Sequence, residues 1–371
     1  MTEPGRNTVV DVVDGSEVIV CCGSGGVGKT TTAAVIGIEA AARGRRAVVV
    51  TIDPAKRLAD ALGMANGLGP EPQLIDPIVT GTGQLWAMML DTAATFDALV
   101  RQHAGDEPQI ERILSNRLYR NMASAMSGTQ EYMAAETLHS LHHDDRFDLV
   151  IVDTPPSRNA LDFLEAPGVL SRFLDHRVFK LAMLPTRGGL KVVGTAAQPV
   201  LRAIGKVVGS DVLSDSLAFF QSFAGMETGF RERADAVVAL LRAERTSFIV
   251  VASPKHDAIA EAVWFAQQLD DQAVGVAAAI VNRVQPDFPV SAHVEQAADG
   301  PVIAALRNNA VQLAVIRRAE LAALQPLVKL VEPCPVALLP LLDADVHDLK
   351  ELRNLAAYLF DRSDEPVSES G

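Results

Sequence analysis

Gly23-Ser24-Gly25-Gly26-Val27-Gly28-Lys29-Thr30 is the stretch from which the fold of this chain can be read. It matches G-x-x-x-x-G-K-[ST], and its flanks are those the pattern requires: residues 17–22 are a short apolar run of strand length, and residues 31–40 continue as helix. Glycines let consecutive backbone N–H groups turn inward around a phosphate. The helix that follows adds unpaired N-terminal amides and the positive end of its dipole. Lys29 brings a point charge for the outer phosphates, and the Thr30 hydroxyl suits Mg²⁺, a small hard ion that prefers oxygen. Gly25, Gly26, Val27, Gly28, Lys29, Thr30 and Thr31 are therefore expected around the phosphates of a nucleotide.

Working outward, 371 residues with 49% hydrophobic positions can bury a large core, and 5% aromatic content makes its packing aliphatic. A formal charge of −13 sets nucleic acid aside as an expected partner, because binding a phosphate backbone needs a cationic surface. Cys21, Cys22 and Cys334 include no C-x-x-C pair that could hold zinc or an iron–sulfur cluster, so they read as reduced structural cysteines. Residues 1–15 carry no apolar run of signal-peptide length, and residues 327–342 are interrupted by Lys329, Glu332, Pro333, Pro335 and Pro340. A cytoplasmic chain is expected on that basis, and residues 1–15 and 362–371 are expected to be disordered.

Short β-branched runs recur at 18–22, 47–52, 149–153, 248–252, 276–281 and 336–339. Their near-continuous apolar character suits strands covered on both faces. The expectation is an α/β, three-layer P-loop NTPase fold with a mainly parallel sheet. One domain would span 16–361, with helical insertions at about 85–143 and 166–245 forming a subdomain. The first insertion contains Met88, Met89, Met122, Met126 and Met133, which read either as helical core or as the lining of an adaptable apolar groove. The second contains seven Lys or Arg residues between 168 and 209 against the single acid Asp175. That segment is either a solvated face or a surface for an acidic partner or an anionic membrane.

Two carboxylates stand at the carboxyl ends of predicted strands, where parallel sheets bind ligands: Asp53 after 48–52 and Asp153 after 149–152. Turn or capping chemistry is the plain alternative for each. His142-His143-Asp144-Asp145 could suggest a metal site, but adjacent side chains on a polar connection more often face solvent.

With these segments in hand the chain resembles the arsenical-pump ATPase family, which includes the targeting ATPases for tail-anchored membrane proteins. The resemblance rests on the loop at 23–30, on Asp53-Pro54-Ala55 with Leu58 and Asp60, on Asp153-Thr154-Pro155-Pro156 continuing to Phe163-Leu164, and on Val281-Asn282-Arg283. It implies ATP as substrate with Mg²⁺, and a dimer whose helical subdomain responds to nucleotide state and binds an apolar client or a membrane-associated protein. By the same resemblance Asp53 would position the attacking water. Asp153 would sense the γ-phosphate and, with Thr30, Mg²⁺. Asn282 would hydrogen-bond adenine while the segment around Pro340 packs on the base. Phosphoryl transfer asks mainly for in-line placement and charge cancellation, so Lys29, Asp53 and Asp153 are the expected catalytic set.

The chain departs from that pattern in three places. It lacks the cysteines of a zinc-bridged dimer and those that would bind arsenite, so neither is expected. Residues 157–159 are Ser-Arg-Asn where relatives carry glycine and histidine. Ser24 stands where family members generally have a lysine that reaches across a dimer to the partner's phosphates. This leaves a catalytic homodimer and a heterodimer completed by a lysine-bearing paralogous ATPase both open, with Arg158 an alternative cation in cis. A partitioning ATPase acting on DNA or membrane is a third reading, disfavoured by the acidic chain and by the mixed charge of residues 347–360.

Overall fold

Strands β1 (Val18–Cys22) and β5 (Leu149–Asp153) are buried at every position, as strands covered on both faces must be. They belong to a computed structural model that describes residues 8–52, 57–64, 66–75, 83–116, 119–120, 129–155, 164, 225–288, 301–343, 346 and 348–360. The other strands are β2 (Arg46–Thr51), β3 (Gln73–Leu74), β4 (Gln84–Met89), β6 (Thr246–Ala252), β7 (Val276–Val284) and β8 (Val336–Pro340). All eight form one sheet in the order β3-β4-β2-β5-β1-β6-β7-β8, parallel throughout except for the short β3 against β4. The expected fold is the one observed, an α/β sheet of mainly parallel strands with flanking helices.

By its internal contacts the chain forms two compact units. The first holds the sheet with α1 (Val9–Gly15), α2 (Lys29–Ala42), α3 (Arg57–Ala61), α8 (His256–Asp271), α9 (Pro301–Ala323), α10 (Gln325–Val331) and α11 (Leu349–Leu359). Helix α2 lies in the core on one face of the sheet, and eleven of its fourteen residues are buried. At Gly37 of this helix a Cβ would stand 2.8 Å from Val49 Cγ2 and 2.9 Å from Leu85 Cδ1, so only glycine fits without displacement. Helix α11 lays Leu352, Leu355, Ala356 and Leu359 into the same core, and Asp348 caps it by accepting from the Glu351 N–H at 2.8 Å. Burying each leucine is worth about 1.5–3 kcal/mol. The apolar face of this last helix is therefore occupied by the core.

The second unit holds α4 (Thr92–His103), α5 (Glu107–Ser115), the part of α6 (Thr129–His142) up to Ser140, and α7 (Glu227–Leu241). Phe96 stacks on Tyr119 with ring centroids 5.1 Å apart, and the Tyr119 hydroxyl donates to Asp97 Oδ1 at 2.5 Å. On α6 the buried Glu136 accepts from Arg233 Nε at 2.7 Å, so this charge goes into the helical unit with a cation beside it.

Two expectations need correction. Residues 9–15 are helix: Thr8 and Asp11 form a capping box, Val9, Val12 and Val13 are buried, and Arg45 Nη1 donates to the carbonyls of Val13 at 2.6 Å and Ser16 at 2.8 Å. Residues 85–89 are not helical but belong to β4, because β2 offers them a parallel partner whose register pairs Val48 with Trp86 and Val50 with Met88. Of the two readings open for the methionines, Met88 and Met133, at 5% and 1% exposure, take the first and are core, Met88 on a strand. Met122, Met126, the basic segment 168–209, most of the insertion at 166–245 and residues 362–371 lie outside the described residues.

Candidate nucleotide site

The order β2-β5-β1 puts three strand ends side by side, and their register aligns Thr51, Asp153 and Cys21 in one row across the sheet. Directly paired residues of parallel strands point the same way, so this row faces α2. The Thr51 hydroxyl donates to Asp153 Oδ2 at 3.0 Å, and the Thr30 hydroxyl, from the first turn of α2, donates to the same oxygen at 2.7 Å. Asp153 is 1% exposed and Thr51 3%, so the carboxylate is held from two sides in a dry place. Two hydroxyls and a carboxylate make an all-oxygen donor set, the chemistry that suits a hard divalent ion of the Mg²⁺ kind.

The loop between β1 and α2 is shaped from beneath. Gly28 has φ +98°, a conformation that strains any other residue, and a Cβ there would lie 2.1 Å from Asn282 Nδ2. Asn282, at the end of β7, donates from that nitrogen to the Val27 carbonyl at 3.0 Å, which ties the loop to a strand two places away in the sheet. Among the described residues no side chain caps the N-terminus of α2. The helix thus opens with amides that an anion can satisfy. Lys29 is 7% exposed and its ammonium donates to the carbonyls of Gly23 and Ser24, both at 2.9 Å, folding the cation over its own loop.

A cavity of about 620 Å³ opens above the loop. Gly25, Gly26, Gly28, Lys29, Thr30, Thr31, Asn282 and Pro340, all expected at the site, line it. Val27 turns inward and is 2% exposed, contributing its backbone. Thr154 also lines the cavity and ties itself to β1 by donating its hydroxyl to the Cys21 carbonyl at 2.8 Å. Asp53 and Arg158 lie outside the described residues. Three residues were not anticipated. Thr51 sits two positions before Asp53, but only the register against β5 reveals that its hydroxyl meets Asp153. Arg57 and Arg283 line the cavity as well: Arg57 stands between the Asp53-Pro54-Ala55 run and Leu58, and Arg283 closes the Val281-Asn282-Arg283 motif, but the sequence assigned neither a role.

The thiols beneath the loop are quiet. Burial, then the nearby Asp153 carboxylate, drives Cys21 well above the usual thiol range, and burial pushes Cys22 up to about 12. His142, one of the four clustered His and Asp residues, is hydrogen-bonded to Glu17 at 3.0 Å, and Asp144 pairs with Arg146 at 2.7 Å.

Strand, glycine loop and helix leading to a buried carboxylate on a neighbouring strand define a P-loop nucleoside triphosphatase. The sequence model described as anion-transporting ATPase (ArsA ATPase) matches residues 16–361, and the chain belongs to this family of ATPases. It is similar to the ATPase get3 of Aspergillus terreus, with 27% identity over 265 residues, 71% of either chain. Similarity of the same order links it to ATPase GET3 of Rhodotorula glutinis, 27% identical over 71% of this chain and 68% of the relative. ATPase GET3 of Paracoccidioides lutzii is 28% identical over 71% of each. Among the described residues no helix is long and apolar enough to cross a membrane.

Proposed function

We propose that the chain is an ATP-hydrolysing switch in which the cavity above the loop takes ATP and the helical unit responds by binding or releasing an apolar client. The observation that carries this reading is the convergence of the Thr30 and Thr51 hydroxyls on Asp153 Oδ2 at the start of the helix that follows the glycine loop. In it, the backbone amides of residues 25–30 cradle the phosphates, and Lys29 leaves the Gly23 and Ser24 carbonyls for the outer phosphates. Thr30 and Asp153 would hold Mg²⁺, which supplies charge neutralisation on the phosphate oxygens. Asp53 orients the attacking water, and Asn282 and Pro340 receive the base. Placement and charge cancellation are what phosphoryl transfer needs from a protein. The acting form is a dimer in the cytoplasm, with membrane encounters while the client is handed on. Phosphate release by the purified chain should require Mg²⁺, be abolished in Lys29→Ala, and fall at least tenfold in Asp153→Asn while ATP binding persists. Undiminished turnover in Lys29→Ala would end the reading.

One observation favours a second reading, a regulatory subunit whose lysine-bearing paralogous ATPase completes catalysis: Ser24 has no charge to lend across a dimer. Turnover and particle mass measured with ATP, alone and with the partner recovered by affinity purification, separate the two. Brisk turnover by the chain alone excludes the subunit reading.

A further inference from the structure

Asn282 and Arg283 are consecutive residues of β7, yet both side chains reach the same loop. Asn282 donates to the Val27 carbonyl at 3.0 Å, and Arg283 Nη1 donates to the Gly26 carbonyl at 3.3 Å. A regular strand cannot do this, because successive side chains point to opposite faces. Two distortions make it possible. The pairing of β7 with β8 slips between Val281 and Val284, a bulge that re-aims side chains, and Arg283 itself adopts φ +65°. A left-handed conformation at a residue bearing a Cβ is costly, and such strain collects where a side chain must be delivered to a site. The guanidinium is delivered to the rim of the loop, two residues from Ser24. The cavity there also inverts the charge of the molecule. In a chain of net charge −13, the described residues that line it carry Lys29, Arg57 and Arg283 against Asp60.

We propose that Arg283 binds the phosphates of the nucleotide, exchanging the Gly26 carbonyl for a phosphate oxygen and supplying in cis the second loop cation that Ser24 cannot provide. The proposal rests on the reading of the cavity as the ATP site. Arginine suits the task because its fork stays charged and can hold a phosphate through two donors.

The test is equilibrium binding of a fluorescent ADP analogue to the full chain at low and high salt. Arg283→Gln keeps a donor without charge and should bind about tenfold more weakly, the worth of one charge-assisted contact, with a shallower salt dependence. Arg283→Lys should stay within about threefold of the parent, since an ammonium keeps the charge but not the fork. Arg283→Gly removes the side chain and relieves the backbone, so the nucleotide-free protein should melt no lower than the parent while its ADP affinity falls. Unchanged affinity and salt slope in Arg283→Gln would overturn the proposal, and so would a lowered melting temperature in Arg283→Gly, which would mark the residue as structural. Failure of the parent chain to bind ADP at all would instead sink the ATP reading.

Discussion

Helices α2 and α9 belong to the same unit and are built from similarly apolar sequence, yet eleven of fourteen residues are buried in the first and none of twenty-three in the second. Helix α2 contains Thr30, Thr31, Thr32 and Gly37, poor helix formers that each cost up to about 0.7–1 kcal/mol relative to alanine. Packing against β2, β4 and β5 outweighs that cost, and the return is a rigid base for the glycine loop. Helix α9 has seven Ala, three Leu and three Arg among its twenty-three residues, and these strong helix formers outnumber its five β-branched residues and two Asn. Tertiary hydrogen bonds hold it near its C-terminal end, where Arg317 donates to the Gln285 carbonyl at 2.5 Å and Glu320 accepts from the Gln285 N–H at 2.7 Å. One helix is made by its surroundings and the other largely by itself.

That contrast can be broken in measurable ways. The largest effect is expected from Gly37→Val in α2. The new side chain must displace Val49 and Leu85, and overpacking of this kind costs about 1–3 kcal/mol, read from the urea midpoint at unchanged slope. Next comes Ala305→Gly in α9, where propensity has no packing to hide behind and the full cost of about 1 kcal/mol should appear. If that substitution is silent, neighbouring contacts and not propensity maintain α9. The smallest effect is expected from Val315→Asp, at a residue 51% exposed, which should move stability by less than about 0.5 kcal/mol. A larger loss that grows as the protein is diluted would reveal that α9 is covered in an oligomer. At the other end of the same comparison, a thiol reagent at pH 8 should leave the buried Cys21, under α2, and Cys22, on the opposite face of β1, unmodified in the folded chain, with Cys334 reacting first. Rapid labelling of all three would mean that the floor of the loop opens.

The parts of the fold that could be read from the residues are those where burial is complete. Residues 18–22 and 149–153 are unbroken apolar runs, and such runs in a parallel sheet admit little else. Residues 84–89 were misread because Leu, Ala and Met serve helix and strand alike, and only pairing with β2 decides between them. The short α1 carried its signal in the open, a Thr8–Asp11 box ahead of Val9, Val12 and Val13, but seven residues are too few for periodicity to speak. At the site, the loop and Asp153 were legible from spacing, and Asn282 and Pro340 were legible only through the family resemblance. Thr51 was not, and Arg283 stood in the Val281-Asn282-Arg283 motif without a role. A register across strands a hundred residues apart, and a bulge with a left-handed arginine, exist only once the sheet is assembled.

The sheet order also sets a timetable for making the protein. The glycine loop is synthesised by residue 30, but the strand that floors it, β5, slots between β1 and β2 only after residue 153, and the clamps on Gly26 and Val27 arrive with residues 282 and 283. Contacts of such long sequence separation close slowly and late. A chain still emerging from the ribosome therefore carries a nucleotide signature it cannot yet use, and its exposed apolar strands must wait for the distal half of the sequence before any ligand can stabilise them.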